Sequence, residues 1–334
     1  MDHRIGRTLS SLAVCAALAG APAAALAWAA GTHAYIAKRT NKMGGLVTDA
    51  EMCRRVLGAN GPDLFNAIWE DQAQLLAYVL HTRDAAPNVS PYWAADGALQ
   101  RAYGFGFASH NNEWGTDATA HFAGRTFGKD EGYVIAKAAI LGDLLAPQIG
   151  QALSLPPQIA VPMAREVSHN FVEYAVDFLL AQADPELPWT LYASAGCYAG
   201  KADDEFLYDA LGLYFAAALS PADPAAALPL AKDWIEKAEG PFVAGLGANG
   251  YLLSLPYAQA KPVLALQTAF AAQKYLAWRF PGLFNPMPTV AQLEPLVEQG
   301  LDGAMALCAP DFMDEIEATI GRVNGQMSSR GIVP

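Results

Sequence analysis

Positive charge is scarce in this chain. Only 21 Lys and Arg stand against 33 Asp and Glu in 334 residues, a net charge of −12, and charged residues make up just 16%. No Lys/Arg cluster and no basic patch interleaved with aromatics occurs, so the long-range field repels polyphosphates and extended nucleic-acid binding is not expected. Past the first thirty positions no uninterrupted apolar run reaches the ~18 residues of a membrane span, although 53% of residues are hydrophobic. The longest candidates, 133–155 and 262–280, are broken by Lys137, Asp143 and Pro147, and by Gln267, Gln273 and Lys274; they read as buried helices in a soluble mature protein. A Gly-Lys phosphate loop and a nucleophile-elbow serine are both missing. An alternating strand pattern persists nowhere, which leaves a mostly α fold as the expectation.

What is present begins at the N-terminus. Arg4 and Arg7, an apolar run from Leu9 to Ala19, Pro22 and the small-residue triplet Ala25-Leu26-Ala27 form a secretory signal peptide over residues 1–27. The protein is therefore expected to be exported, to the periplasm or beyond. Leu12-Ala13-Val14-Cys15 is a poor lipoprotein signal, because the residue before the cysteine is normally small. Cleavage after Ala27 makes Trp28 the first residue, and its α-amino group, with a pKa near ~7.7–8.0, can chelate a divalent ion together with its own carbonyl. His33 lies five residues on. Three cysteines remain after the leader, Cys53, Cys197 and Cys308, which in an oxidising compartment allow one disulfide and one free thiol.

Histidines are few, six in all, and four of the five beyond the leader lie in segments with a suitably spaced acid. Gly61-Pro62-Asp63 opens a run with apolar residues at Leu64, Phe65, Ile68, Trp69, Leu75, Leu76, Val79 and Leu80 that ends at His81, so Asp63 and His81 are expected at opposite ends of one helix. His110, Asp117 and His121 stand at i, i+7 and i+11, expected on one helical face. His169 and Glu173 form an i, i+4 pair able to grip one ion. Nitrogen and oxygen donors without thiolate point to zinc ahead of manganese or iron.

Trp28, His33, Asp63, His81, His110, Asp117, His121, His169 and Glu173, in that order, resemble the zinc-dependent phospholipase C family of bacteria, related to the fungal zinc single-strand nucleases. The likeness covers Trp28 to about Phe178. It implies an all-α domain with a trinuclear site and hydrolysis of phospholipid to diacylglycerol and a phosphorylated headgroup. Trp28 and His33 would hold one zinc, and Asp117 would bridge it to a second held by Asp63, His81 and His110. His121, His169 and Glu173 would hold a third, stabilising the departing alkoxide. A water shared by the bridged pair would be driven toward hydroxide, with Asp117 as bridge and Asp63 as ligand or general base. Peripheral contact with a membrane surface would follow. The family usually has His-x3-Asp, and here Glu113, not His110, stands four before Asp117, so either of the two is a ligand candidate. Choline-preferring members carry an acid three positions after the terminal Trp and an aromatic after the first Asp; Gly31 and Leu64 occupy those places. A single-strand nuclease or nucleotidase, or a non-catalytic exported zinc-binding protein, are the competing expectations.

Elsewhere Thr48-x-x-Glu51 is a capping box before a helix to about Leu57, and Lys129-Asp-Glu131 opens a helix toward Leu145. Asp184-Pro-Glu-Leu-Pro188 marks a boundary between a catalytic domain over 28–183 and a helical C-terminal domain over 189–334. Helical runs are expected over 203–219, 221–238, 262–280, 289–307 and 312–322. Gly245-Leu-Gly247-Ala-Asn-Gly250 matches the dinucleotide fingerprint without a preceding strand or a following acid, and reads as an interhelical loop. Its neighbours Tyr251, Leu252, Leu253 and Tyr257 are expected to pack in the core in preference to touching lipid.

Overall fold

The computed structural model describes residues 29–40, 48–66, 68–82, 84 and 86–334. The leader expected over 1–27 and the expected ligand Trp28 lie outside them. Among the described residues the chain is helical, with no strand: α1 (Ala30–Arg39), α2 (Asp49–Ala59), a 3-10 turn (Gly61–Phe65), α3 (Asp71–Leu80), α4 (Ala86–Ala94), α5 (Ala98–His110), α6 (Thr116–His121) and α7 (Tyr133–Leu153). Then come α8 (Pro157–Ala183), α9 (Leu187–Ala195), α10 (Lys201–Leu219), α11 (Pro224–Leu253), α12 (Tyr257–Arg279), α13 (Val290–Cys308) and α14 (Phe312–Ser329). The all-α class is as the patterning requires.

The helix starts follow local chemistry. Thr48 accepts from the Glu51 backbone N–H while the Glu51 carboxylate accepts from Thr48, so the capping box forms and α2 continues to Ala59. Along α7, Val134, Ala138, Leu141, Leu145 and Ile149 recur every three or four residues and are buried, facing α8 and α13. Burying each large side chain contributes about 1.5–3 kcal/mol. This helix is long and apolar enough to cross a membrane by length and composition, yet half of its most apolar window is buried against the rest of the protein.

Backbone contact sets the arrangement of α2 and α5. A Cβ on Gly58 would stand 2.0 Å from the Tyr103 carbonyl oxygen, and one on Gly106 would stand 2.0 Å from that of Arg55. Glycine at both crossing points lets the helices touch main chain to main chain, which brings the end of α5, and with it His110, against the end of α2. Arg54 on α2 forms a buried two-pronged ion pair with Asp203 at the start of α10. Cys53 and Cys197 form a disulfide from α2 to the turn after α9, while Cys308 is free and buried.

Three local expectations are corrected. Asp63 and His81 do not share one helix: the 3-10 turn ends at Phe65, Asn66 turns back to donate to the Asp63 carboxylate at 2.6 Å, and Glu70 is extended before α3 begins. A short amide side chain that bonds a neighbour competes with helix continuation. His110 and His121 likewise lie on two helices, because Asn111 Oδ1 accepts from the Glu113 and Trp114 backbone N–H groups and folds an Asx turn between them. Gly245–Gly250 is no loop but lies within α11. A Cβ on Gly250 would sit 2.7 Å from Tyr192 N, so this glycine admits α9 against α11, and packing overrides its weak helix propensity. Leu252 and Leu253 are buried there, as expected, and Tyr251 is half exposed. Several ends also shift: α7 starts at Tyr133 after Gly132, and α14 runs on to Ser329.

Asp184 closes α8 and the chain turns into α9 within three residues. One hydrophobic cluster runs through both sides of that break, joining Val56, Leu57 and Val176 to Leu191, Phe215 and Ile235. The disulfide ties the two sides across 144 residues. Cys53→Ser is expected to lower unfolding free energy by roughly 2–4 kcal/mol, read as a lower denaturant midpoint with unchanged slope.

Candidate metal centre

Four helices and the 3-10 turn deliver their ends to one buried region. His33 comes from the first turn of α1, Asp63 from the 3-10 turn, His81 from the C-terminal cap of α3, His110 from the last residue of α5, Asp117 from the first turn of α6. Asp117 is fully buried and lies at the centre. Its Oδ1 is 3.0 Å from His110 Nε2 and 3.8 Å from His33 Nε2, and its Oδ2 is 3.9 Å from His81 Nε2. Asp63 Oδ1 is 3.2 Å from His81 Nε2. His33 and His110 stack at 4.1 Å between centroids.

The far sides of these rings are held by the fold. His110 Nδ1 donates to the Ala59 carbonyl at 2.9 Å, and His81 Nδ1 to that of Ala77 at 2.8 Å. Thr116 Oγ1 stands 3.2 Å from His33 Nδ1. Each ring thus turns Nε2 toward Asp117, and an N–H at Nδ1 leaves Nε2 as the lone pair whenever the ring is neutral. Buried Nε2 of His33 and His110 and both carboxylate oxygens of Asp117 have no well-directed hydrogen bond. The 3.0 Å approach of His110 to Asp117 is close in distance but poorly aligned.

A second centre joins α6 to α8. His121 Nε2 and His169 Nε2 face each other at 3.3 Å, and Glu173 Oε1 is 2.8 Å from His169 Nε2. Two nitrogens bound at ~2.0–2.1 Å to one tetrahedral ion are about 3.3 Å apart. Three groups of donors could each hold a metal ion: His33, His110 and Asp117; Asp63, His81 and His110; and His121, His169 and Glu173. All eight expected ligands within the described residues fall in these groups. His110 serves two of them through one Nε2 and can bind one ion at a time. Glu113 is exposed on the Asx turn and belongs to none, so the alternative in which it replaces His110 is corrected.

Electrostatics favour cations here. Burial, with His110 next, pushes His33 down to about 3, so it is neutral. Burial also opposes charge on His110, but Asp117 and Asp63 outweigh it and push it up to about 9. Asp117 lies far below the usual carboxylate range, because His110 and its neighbours overcome the cost of burial. Glu173 is raised well above its ordinary value by burial, then by the negative charges of Asp63, Asp117 and Asp177. A crowd of buried carboxylates with imidazole lone pairs turned inward is costly alone and favourable around divalent ions.

Asp177, which sequence reasoning passed over, organises the α1 end of the site. It is 3% exposed and accepts from Gly31 N at 2.7 Å, Thr32 N at 2.6 Å and Thr32 Oγ1 at 2.7 Å. It thereby satisfies free N–H groups of the first turn and opposes the helix dipole. A Cβ at position 31 would meet Asp177 Oδ2 at 2.7 Å, so glycine is required there. The i+4 spacing from Glu173 was the available signal. Ala29 is buried, and its carbonyl accepts from Thr32 N and His33 N at the start of α1.

Comparison of the chain with protein-family models, with curated proteins and with solved structures gives no match. Two outcomes are expected from the geometry. Because His110 at about 9 is protonated at pH 7, metal uptake should release protons and tighten as pH rises toward 9, as calorimetry in buffers of different ionisation enthalpy would read. Thr116→Val and Asp177→Asn should each weaken metal binding by roughly 10–100-fold, measured by competition with a chromophoric chelator.

Proposed function

We propose that this protein is an exported zinc phosphodiesterase of the phospholipase C type, releasing diacylglycerol and a phosphorylated headgroup. The observation that carries the reading is Asp117: its two oxygens face different histidines, His33 and His110 on one side and His81 on the other, with a third donor group nearby on α6 and α8. One carboxylate shared between two donor groups is what a bridged metal pair needs, and all-N/O donors suit zinc. Bound there, zinc supplies Lewis acidity and a water whose pKa is lowered toward neutrality.

The residues then divide the work. Asp117 would help to hold both central ions, and His110 and His81 keep their Nε2 atoms aimed by the Ala59 and Ala77 carbonyls. Asp63, more accessible than Asp117 at 13% side-chain exposure, would serve as a metal ligand or would take the proton of the attacking water. His121, His169 and Glu173 would hold a further ion, which could stabilise the departing alkoxide. The phosphoester bond to diacylglycerol would break as the water oxygen bonds to phosphorus, and the proton given up by that water would return through solvent to the alkoxide. The net charge of −12 and the lack of basic clusters favour a small or lipid-borne phosphodiester over a polynucleotide. Neither Gly31, closed in by Asp177 and Leu253, nor buried Leu64 lines a cationic headgroup site.

Phospholipid hydrolysis should be lost on chelation and restored by zinc, with about three zincs in the active protein. Asp117→Asn should abolish turnover, since a carboxamide bridges two cations poorly. Full activity in that variant, or turnover indifferent to chelator, would overturn the assignment.

A further inference from the structure

An apolar cavity lies beside the third donor group and has no part in the mechanism above. Its volume is about 60 Å³, room for roughly four to six water-sized groups. Ile149, Met163, Phe171, Leu276 and Val297, all buried, form most of its wall, between α7, α8, α12 and α13. Water gains few partners in such a space, and the lining forgoes dispersion contacts while it is empty. Thr268 adds one hydroxyl to the wall, whereas Glu166, Asn170 and Tyr275 also line a larger pocket of about 330 Å³ that includes His169 and Arg165. Tyr275 donates to the Glu166 carboxylate across this shared wall. Asn170 is 5% exposed, and its Oδ1 has no hydrogen-bond partner.

The arrangement is graded: metal donors at His169, a polar neck at Asn170 and Tyr275, then a narrow apolar end. We propose that this cavity takes a single alkyl chain of a lipid, whose polar neck meets Asn170 and whose head lies in the pocket beside His169. Apolar lining excludes a sugar or nucleotide, and the narrow volume admits one chain segment and not a fused ring system. That the chain belongs to the substrate rests on the phosphodiesterase reading; that it binds rests on the cavity alone.

Alkylphosphocholines from ethyl to dodecyl, titrated calorimetrically below their micelle concentrations into the mature protein, test this. Affinity is expected to rise about fourfold per added methylene until the cavity is full and then to level off. Ala272→Phe, which fills the cavity from α12, should flatten the series. A flat series with the wild-type protein, or a rise that Ala272→Phe leaves intact, overturns the proposal. Should the variant fail to fold, the wild-type series decides: a continued rise to dodecyl without a plateau means surface partitioning and overturns it too. Turnover of bis(p-nitrophenyl) phosphate separates the two readings. Chain-dependent binding without any phosphodiester turnover sinks the enzyme reading and leaves the cavity assignment standing, whereas turnover without chain dependence does the reverse.

Discussion

A carboxylate at zero exposure, surrounded by imidazoles, is the constraint around which this molecule is built. Asp117 gives up its hydration entirely, and a buried charge is tolerable only with opposite charge or directed donors around it. Its neighbours are three histidines, and their outer nitrogens are already engaged by two carbonyl oxygens and a threonine hydroxyl. The inner nitrogens therefore face the carboxylate. The position of each helix end follows from that requirement.

Meeting it takes unusually close helix contact. Gly58 and Gly106 let α2 and α5 cross with main-chain atoms touching, which sets Ala59 O within reach of His110. Gly31 lets Asp177 grip the first turn of α1 and so orients His33 two residues on. At three of these junctions a methyl group in place of hydrogen would push a donor away from the centre. The disulfide and the Arg54–Asp203 pair then brace α2 from the far side, so the element that carries Ala59 is anchored independently of metal.

The polar neck at Asn170 links this rigid centre to softer surroundings. Moving along α8 from Glu173 to Met163, the side chains change from candidate metal donors to amide to hydrocarbon within three turns. A single helix can present such a gradient because residues three and four apart share a face. The same geometry that would let His169 and Glu173 grip an ion puts Asn170 and Glu166 in the wall shared by the two pockets.

Much of this was legible in the residues. Histidines were so few, and so regularly accompanied by acids, that the eight residues that gather in the three donor groups could be named as candidates from the sequence, and the absence of strand alternation already pointed away from a sheet. The capping box at Thr48 and the break at Asp184 were local signals with local causes. What spacing could not reveal was that Asn66 and Asn111 interrupt the runs around Asp63 and His110, because a side-chain hydrogen bond to a neighbour looks the same in sequence whether or not it forms. Nor could it separate His110 from Glu113, or find Asp177, whose partners Gly31 and Thr32 lie about 145 residues away. The sequence by itself determined the helical class and the chemistry of the donors, since both depend on residue type and near-neighbour spacing. Which donors meet, which histidine nitrogen faces inward, and where an apolar cavity adjoins them were decided only by tertiary structure, because those are consequences of long-range packing at glycine crossings.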